Sequence, residues 1–188
     1  MIREWRSVSA NVLTGFLGSG KTSLLKRLLA QPDLHGTAVL INEFGEIGLD
    51  HLLVEEVSEE VVLLKSGCVC CSIRGDLRDG LDRLYARMES GEVQPFERVV
   101  IETSGLADPV PIVAGFSTDP SLRWHFKLGA VVTVVDAING AANLGRFEEA
   151  ARQVALADRL VVSKVDLDPE AATSLARRLA DINPTAML

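Results

Sequence analysis

Cys68, Cys70 and Cys71 fall within four consecutive positions of "LLKSGCVCCSIRGDL", and the 188-residue chain has no other cysteine. Thiolates are soft ligands suited to Zn²⁺ and related borderline metals, whose closed structural sites take four ligands. One C-x-C-C trio supplies three. The fourth place falls to water, a carboxylate, a histidine or another protein, which suits a metal that must leave again. In an extended strand Cys68 and Cys70 share a face and Cys71 opposes them, so their convergence needs a turn, which Gly67 and Gly75 favour. Burial as small hydrophobes is one rival reading, but it does not explain a chain otherwise without cysteine. Thiol redox exchange is the other; the odd count makes complete internal pairing impossible, and a reducing cytosol disfavours a disulfide framework.

A second chemistry lies upstream. "GFLGSGKT", Gly15 to Thr22, matches G-x-x-x-x-G-K-[ST] at every specified position, between a strand pattern and a helix pattern. Gly15, Gly18 and Gly20 let the backbone fold tightly, so that N–H groups around Ser19 face phosphate oxygens and the following helix adds its positive end. Lys21 would reach the β- and γ-phosphates and the Thr22 hydroxyl would ligate Mg²⁺. Ser23 completes the nucleotide set. In "VVIETSG", Glu102 ends an apolar run, where it would organise Mg²⁺ or the attacking water, and the Gly105 N–H three residues on would sense a γ-phosphate.

"VVSKVD", 161–166, follows another apolar run and resembles the [NTS]-K-x-D guanine motif, with Ser163 where Asn is commoner. Asp166 would accept from N1–H and the exocyclic amine of guanine while the Lys164 stem lies along the purine face. Adenine leaves that carboxylate without partners, at a cost of about 1–3 kcal/mol, so GTP is favoured over ATP. In "INEFGEIGLD", 41–50, Asn42, Glu43, Glu46 and Asp50 supply oxygen donors, the type of loop that orders around γ-phosphate and Mg²⁺; Glu46 reads as solvated.

These residues need a scaffold that gathers them. Apolar runs rich in Val and Ile recur at 11–15, 37–41, 61–65, 98–103, 130–136 and 159–164, nearly continuous rather than alternating, as in strands buried on both faces. Helical stripes intervene: Leu24, Leu25, Leu28 and Leu29; Leu77, Leu81, Leu84, Tyr85 and Met88; then Leu175, Leu179 and Ile182, with Asp168 as cap and Pro169 at the first position. The fold class is therefore α/β, a three-layer P-loop NTPase with a mostly parallel sheet flanked by helices, its sites beyond the carboxyl ends of the strands. The cysteines follow the run at 61–65, which puts them on the phosphate-loop side. After Pro184, "TAML" reads as the start of a further, interrupted strand.

Composition narrows the partners. With 47% hydrophobic and 24% charged residues the chain suits one domain, and a net charge of −7 argues against nucleic-acid binding. No apolar run approaches the roughly 20 residues of a membrane helix and no signal peptide opens the chain, so a cytoplasmic, membrane-free protein is expected.

Taken in order, "VLTGFLGSGKTSLL", "INEFGEIGLD", "SGCVCCSIRGDL", "VVIETSGLADP" and "SKVD" resemble the CobW-type metal-handling GTPases, allied to the hydrogenase and urease nickel-insertion GTPases. The resemblance spans nearly the whole chain. It implies a GTPase that binds Zn²⁺ or Co²⁺ and couples nucleotide state to metal delivery to a client metalloprotein, with a homodimer as a further candidate assembly. It assigns Cys68, Cys70 and Cys71 to the metal motif, Glu43 to metal or Mg²⁺, Glu102 and Gly105 to the second nucleotide motif, and Lys164 and Asp166 to the base. Residues 1–188 then form the GTPase domain, with the family's C-terminal domain and the final base-contacting strand lying outside them. No arginine finger is assignable, so turnover is expected to be slow without a partner. An ATP-dependent small-molecule kinase, or a nucleotide-dependent binding module with a cysteine redox switch, are the alternatives.

Overall fold

The computed structural model describes residues 7–42, 63–65 and 73–188. In chain order these form β1 (Val8–Thr14), α1 (Lys21–Leu29), a 3₁₀ turn (Pro32–Leu34), β2 (Thr37–Asn42), β3 (Leu63–Lys65), α2 (Ile73–Glu89) and β4 (Arg98–Thr103). There follow α3 (Val110–Thr118), α4 (Pro120–His125), β5 (Phe126–Asp136), α5 (Gly140–Arg146), α6 (Glu148–Ala155), β6 (Arg159–Ser163) and α7 (Pro169–Ile182). The strands make one sheet in the order β3-β2-β4-β1-β5-β6, and each of these pairings is parallel. β1 is thus central, with β4 on one side and β5 on the other.

Continuous apolar runs give strands covered twice, and β2 displays it: consecutive Val39 and Leu40 are both fully buried, on opposite faces. Val39 packs with Leu13, Val134 and the α1 residues Leu25 and Leu29. Leu40 packs on the other face with Val12, Ile101 and the α2 residues Leu77, Leu81 and Leu84, alongside Ile112 of α3 and Leu122 of α4. A third cluster joins Val135 and Leu160 to Val154 of α6 and to Leu175 and Leu179 of α7. The three layers expected from the sequence are present.

Differences from the sequence reading have local causes. β1 starts at Val8 rather than 11, because β4 at Arg98 and β5 at Phe126 and Lys127 hold Val8 and the polar Ser9 in register. β5 runs from Phe126 rather than 130, since α4 ends at His125 and the Phe126 ring is buried. Ile182 is 38% exposed; the end of α7 is anchored instead by buried Asn183, whose Nδ2 donates to the carbonyls of Val154, Ala155 and Ala157. The α7 start is as read, Asp168 accepting from the Ala171 N–H at 2.9 Å ahead of Pro169. Beyond Pro184, Met187 forms a parallel bridge to Arg159, extending pairing to the outer edge of β6. Among the described residues no helix is long and apolar enough to cross a membrane.

Candidate functional site

Parallel registers align the strand ends. Leu13 of β1 pairs with Glu102 of β4, Ile41 of β2 pairs with Glu102 and with Lys65 of β3, and Asp136 of β5 pairs with Ser163 of β6. The phosphate loop leaves β1 at this edge. Gly15 lies at φ 143° where a Cβ would stand 2.3 Å from the Val134 carbonyl oxygen, so only glycine fits. Gly20, at φ 94°, opens α1 with no side-chain cap, which leaves the first-turn N–H groups to the helix's positive end.

Lys21 is 9% exposed, and its ammonium donates to the carbonyls of Gly15 at 3.0 Å and Phe16 at 3.4 Å, folded along the loop it belongs to. One residue on, Thr22 Oγ1 donates to Glu102 Oε1 at 2.6 Å, and Glu102 is buried. A hydroxyl and a carboxylate side by side at the phosphate-loop edge are hard oxygen donors, the set that suits Mg²⁺. Beneath them the Thr103 hydroxyl donates to that of Thr14 at 2.8 Å, locking the ends of β4 and β1 together. Gly105 packs so closely that a Cβ would stand 2.6 Å from the Leu17 backbone nitrogen. The second motif therefore sits directly against the phosphate loop.

The base segment docks on the same loop. Ser163 Oγ donates to the Ser19 carbonyl at 2.6 Å, so the serine that replaces the commoner Asn still ties the two motifs. Lys164 holds a left-handed backbone at φ 57°, alone among the described non-glycine residues. Its ammonium donates to Asp136 Oδ2 at 2.6 Å, and the Asp136 side chain is 4% exposed. Asp136 also accepts from the Ile138 N–H and from Asn139 Nδ2. Burial pushes its carboxyl up, but these hydrogen bonds and the Lys164 charge outweigh burial and hold it below the usual aspartate value. Asp166 is exposed in the turn closed by the Leu167 N–H and the Lys164 carbonyl at 3.1 Å.

The structure thus brings together Gly15, Ser19, Gly20, Lys21, Thr22, Glu102 and Gly105, with Ser163 and Lys164 adjoining. Glu43, Glu46, Asp50 and the three cysteines lie outside the described residues, as do Gly45 and Gly48. Among the described residues no cluster of three His, Cys, Asp or Glu is placed to hold a metal. Sequence reasoning passed over two residues. Asp136 ends an apolar run just as Glu102 does, and that was its available signal. Gln153 falls on the buried face of α6 between Ala150 and Val154, where a polar side chain needs an explanation.

The nucleotide-binding domain described as CobW/HypB/UreG matches residues 9–188. The Escherichia coli protein named zinc chaperone YjiA is 38% identical over 179 residues, 95% of this chain and 56% of that one. Zinc-regulated GTPase metalloprotein activator 1 of Schizosaccharomyces pombe is 37% identical over 91% of this chain and 42% of its own length. The crystal structure of Zn(II)-bound YjiA GTPase superposes with a TM-score of 0.74 at 32% identity, covering 94% of this chain and 55% of that one. Nickel-bound HypB from Helicobacter pylori shares the fold, at a TM-score of 0.68, 15% identity and coverage of 97% and 77% of the two chains. The chain spans about half the length of the curated relatives it matches.

Proposed function

Because the chain belongs to the CobW/HypB/UreG family of nucleotide-binding proteins, we propose that it binds and hydrolyses GTP and couples nucleotide state to delivery of Zn²⁺ or Co²⁺ to a client metalloprotein. The observation that carries the nucleotide half is the Thr22–Glu102 contact at 2.6 Å beside a phosphate loop on which the base segment is docked through Ser163. Thr22 and Glu102 would hold Mg²⁺, which when bound neutralises charge on the phosphoryl oxygens. Lys21 would turn its ammonium to the β- and γ-phosphates, and the Gly105 N–H would read the γ-phosphate. Lys164 would lay its stem along the purine, braced by Asp136, and Asp166 would take the two guanine N–H groups.

The metal is cargo in this reading, held by Cys68, Cys70 and Cys71 with Glu43 as fourth ligand. Support comes from register: Ile41 pairs with both Glu102 and Lys65, so the strands leading to Glu43 and to the thiols end level with the Mg²⁺ pair. Relatives named as zinc chaperones agree with a transferable divalent metal. The reaction is placed in the cytoplasm, where thiols stay reduced.

The test is titration of Zn²⁺ and Co²⁺ into the reduced, full-length protein with Mg²⁺ and either GDP or a non-hydrolysable GTP analogue. The expected result is affinity tighter by about 10-fold in the analogue state, within the usual range for coupled sites, and lost in Cys70→Ser and Cys71→Ser. Equal affinity in both states overturns the coupling, and preference for ATP in competition overturns the guanine assignment.

A further inference from the structure

Gln153 is 1% exposed, midway along α6, and belongs to none of the nucleotide motifs. Its side-chain Nε2 donates to two carbonyls of the turn after β4, Gly105 at 3.2 Å and Ala107 at 3.0 Å. Its own backbone carbonyl accepts from the Thr133 hydroxyl of β5 at 2.8 Å, which fixes the helix to the sheet at this residue. Its neighbour Arg152 grips the same turn from outside, through a 2.9 Å ion pair with Asp108. Two consecutive residues of α6 therefore hold residues 105–108 at three points.

Gln153 Oε1 and Ser19 Oγ are both buried with no hydrogen-bond partner among the described residues. Both residues line one small cavity of about 10 Å³, bordered by Phe16 and Val134, the size that admits a single water with polar partners on two sides. Gln153, from a helix outside the motifs, thus holds the turn that carries Gly105 and shares a cavity with Ser19 of the phosphate loop. Gly105 in turn has no spare distance from Leu17, so the position of the turn decides where its N–H stands relative to the phosphate loop.

We infer that Gln153 is a positioning residue for γ-phosphate discrimination: its amide sets the Gly105 turn against the phosphate loop, so that the triphosphate is distinguished from the diphosphate. This rests on the GTP reading above. A diphosphate needs the phosphate loop but not the Gly105 N–H, whereas a triphosphate needs both. Loosening the turn should therefore act on one nucleotide and spare the other, which a packing role would not do.

The experiment measures affinities of GDP and a non-hydrolysable GTP analogue, with Mg²⁺, for the full chain and for Gln153→Met, which keeps volume and removes both hydrogen bonds. The expected result is a loss of about 10-fold for the analogue, the scale of two lost hydrogen bonds, with GDP changed less than about 2-fold. Equal losses for both nucleotides, or none, overturn the inference. Wild-type protein that binds neither nucleotide overturns the GTP reading instead. Should Gln153→Met fail to fold, amide NMR of the wild-type chain decides: the Gln153 side-chain NH₂ signals should shift and gain exchange protection on passing from GDP to analogue, and signals identical in the two states overturn the inference.

Discussion

Thr22 Oγ1 donates to Glu102 Oε1 at 2.6 Å, joining the first turn of α1 to the end of β4 across 80 positions of chain. That contact makes the two oxygens a preformed pair, and it yields a prediction about Mg²⁺. Glu102→Gln keeps the shape and an acceptor for Thr22 but removes the negative charge. GTP hydrolysis should fall on the order of 10²-fold, as when one preorganised charge-stabilising group is lost. The Mg²⁺ concentration for half-maximal rate should rise, while GDP binding without Mg²⁺ stays within about 2-fold. Phosphate release across a Mg²⁺ titration checks this, and an unaltered Mg²⁺ dependence would remove Glu102 from the metal.

Base choice should reside in the turn at 164–167. Asp166→Asn exchanges an acceptor for an amide that also donates, so it suits a purine with a carbonyl rather than an amine at the 2-position. Affinity for GTP is expected to fall by roughly 10- to 100-fold, the scale of one or two unmatched polar contacts, with xanthine nucleotide gaining over guanine. Competition binding among GTP, ATP and XTP reads the outcome directly.

Asp136 gives the chain a pH-dependent increment of stability. Its carboxyl ionises below the ordinary aspartate value in the folded state, so folding favours the charged form. The increment is complete above the unfolded value near pH ~3.9 and is lost as pH falls through the folded one. Urea unfolding of wild type against Asp136→Asn should therefore show a stability gap that is widest at neutral pH and narrows below about pH 4. A gap independent of pH would mean that burial of the carboxyl cancels what Lys164, Asn139 and the Ile138 N–H contribute to its ionised form.

Gly105→Ala places a methyl group 2.6 Å from the Leu17 nitrogen, a backbone atom that cannot step aside without moving the phosphate loop. Overpacking of this kind costs about 1–3 kcal/mol. The expected signature is weakened binding of both GDP and GTP, about 5-fold or more, because the displaced element serves both. That pattern contrasts with the triphosphate-selective loss expected at Gln153, and fluorescent-nucleotide titration separates the two.

The layers were legible in the sequence because doubly buried strands and helical stripes follow from burial alone, as Val39 with Leu40 and Leu77 with Leu81 illustrate. The placement of the phosphate loop and of Glu102 at one edge of the sheet was legible because glycine spacing marks a tight strand-to-helix loop and an acid after an apolar run marks a strand end. Gln153 was not, since its meaning depends on carbonyls 46 and 48 positions away, which only the tertiary fold brings near. Ser163 stands where Asn is commoner, and nothing in the segment tells that its hydroxyl donates to the Ser19 carbonyl from a position that pairs with Asp136 at the very end of the sheet. Register of this kind is a property of strand pairs, not of either sequence segment.

Lys164 carries a left-handed backbone at φ 57° that glycine would adopt at little cost and lysine adopts against resistance. Glycine here would relieve a backbone cost on the order of 1 kcal/mol, but it would also withdraw the ammonium that donates to Asp136 Oδ2 and strand a nearly buried carboxylate without its cation. The lysine is thus kept in a conformation it resists by the partner it reaches. Screens that select on thermal endurance alone would return lysine at this position rather than glycine.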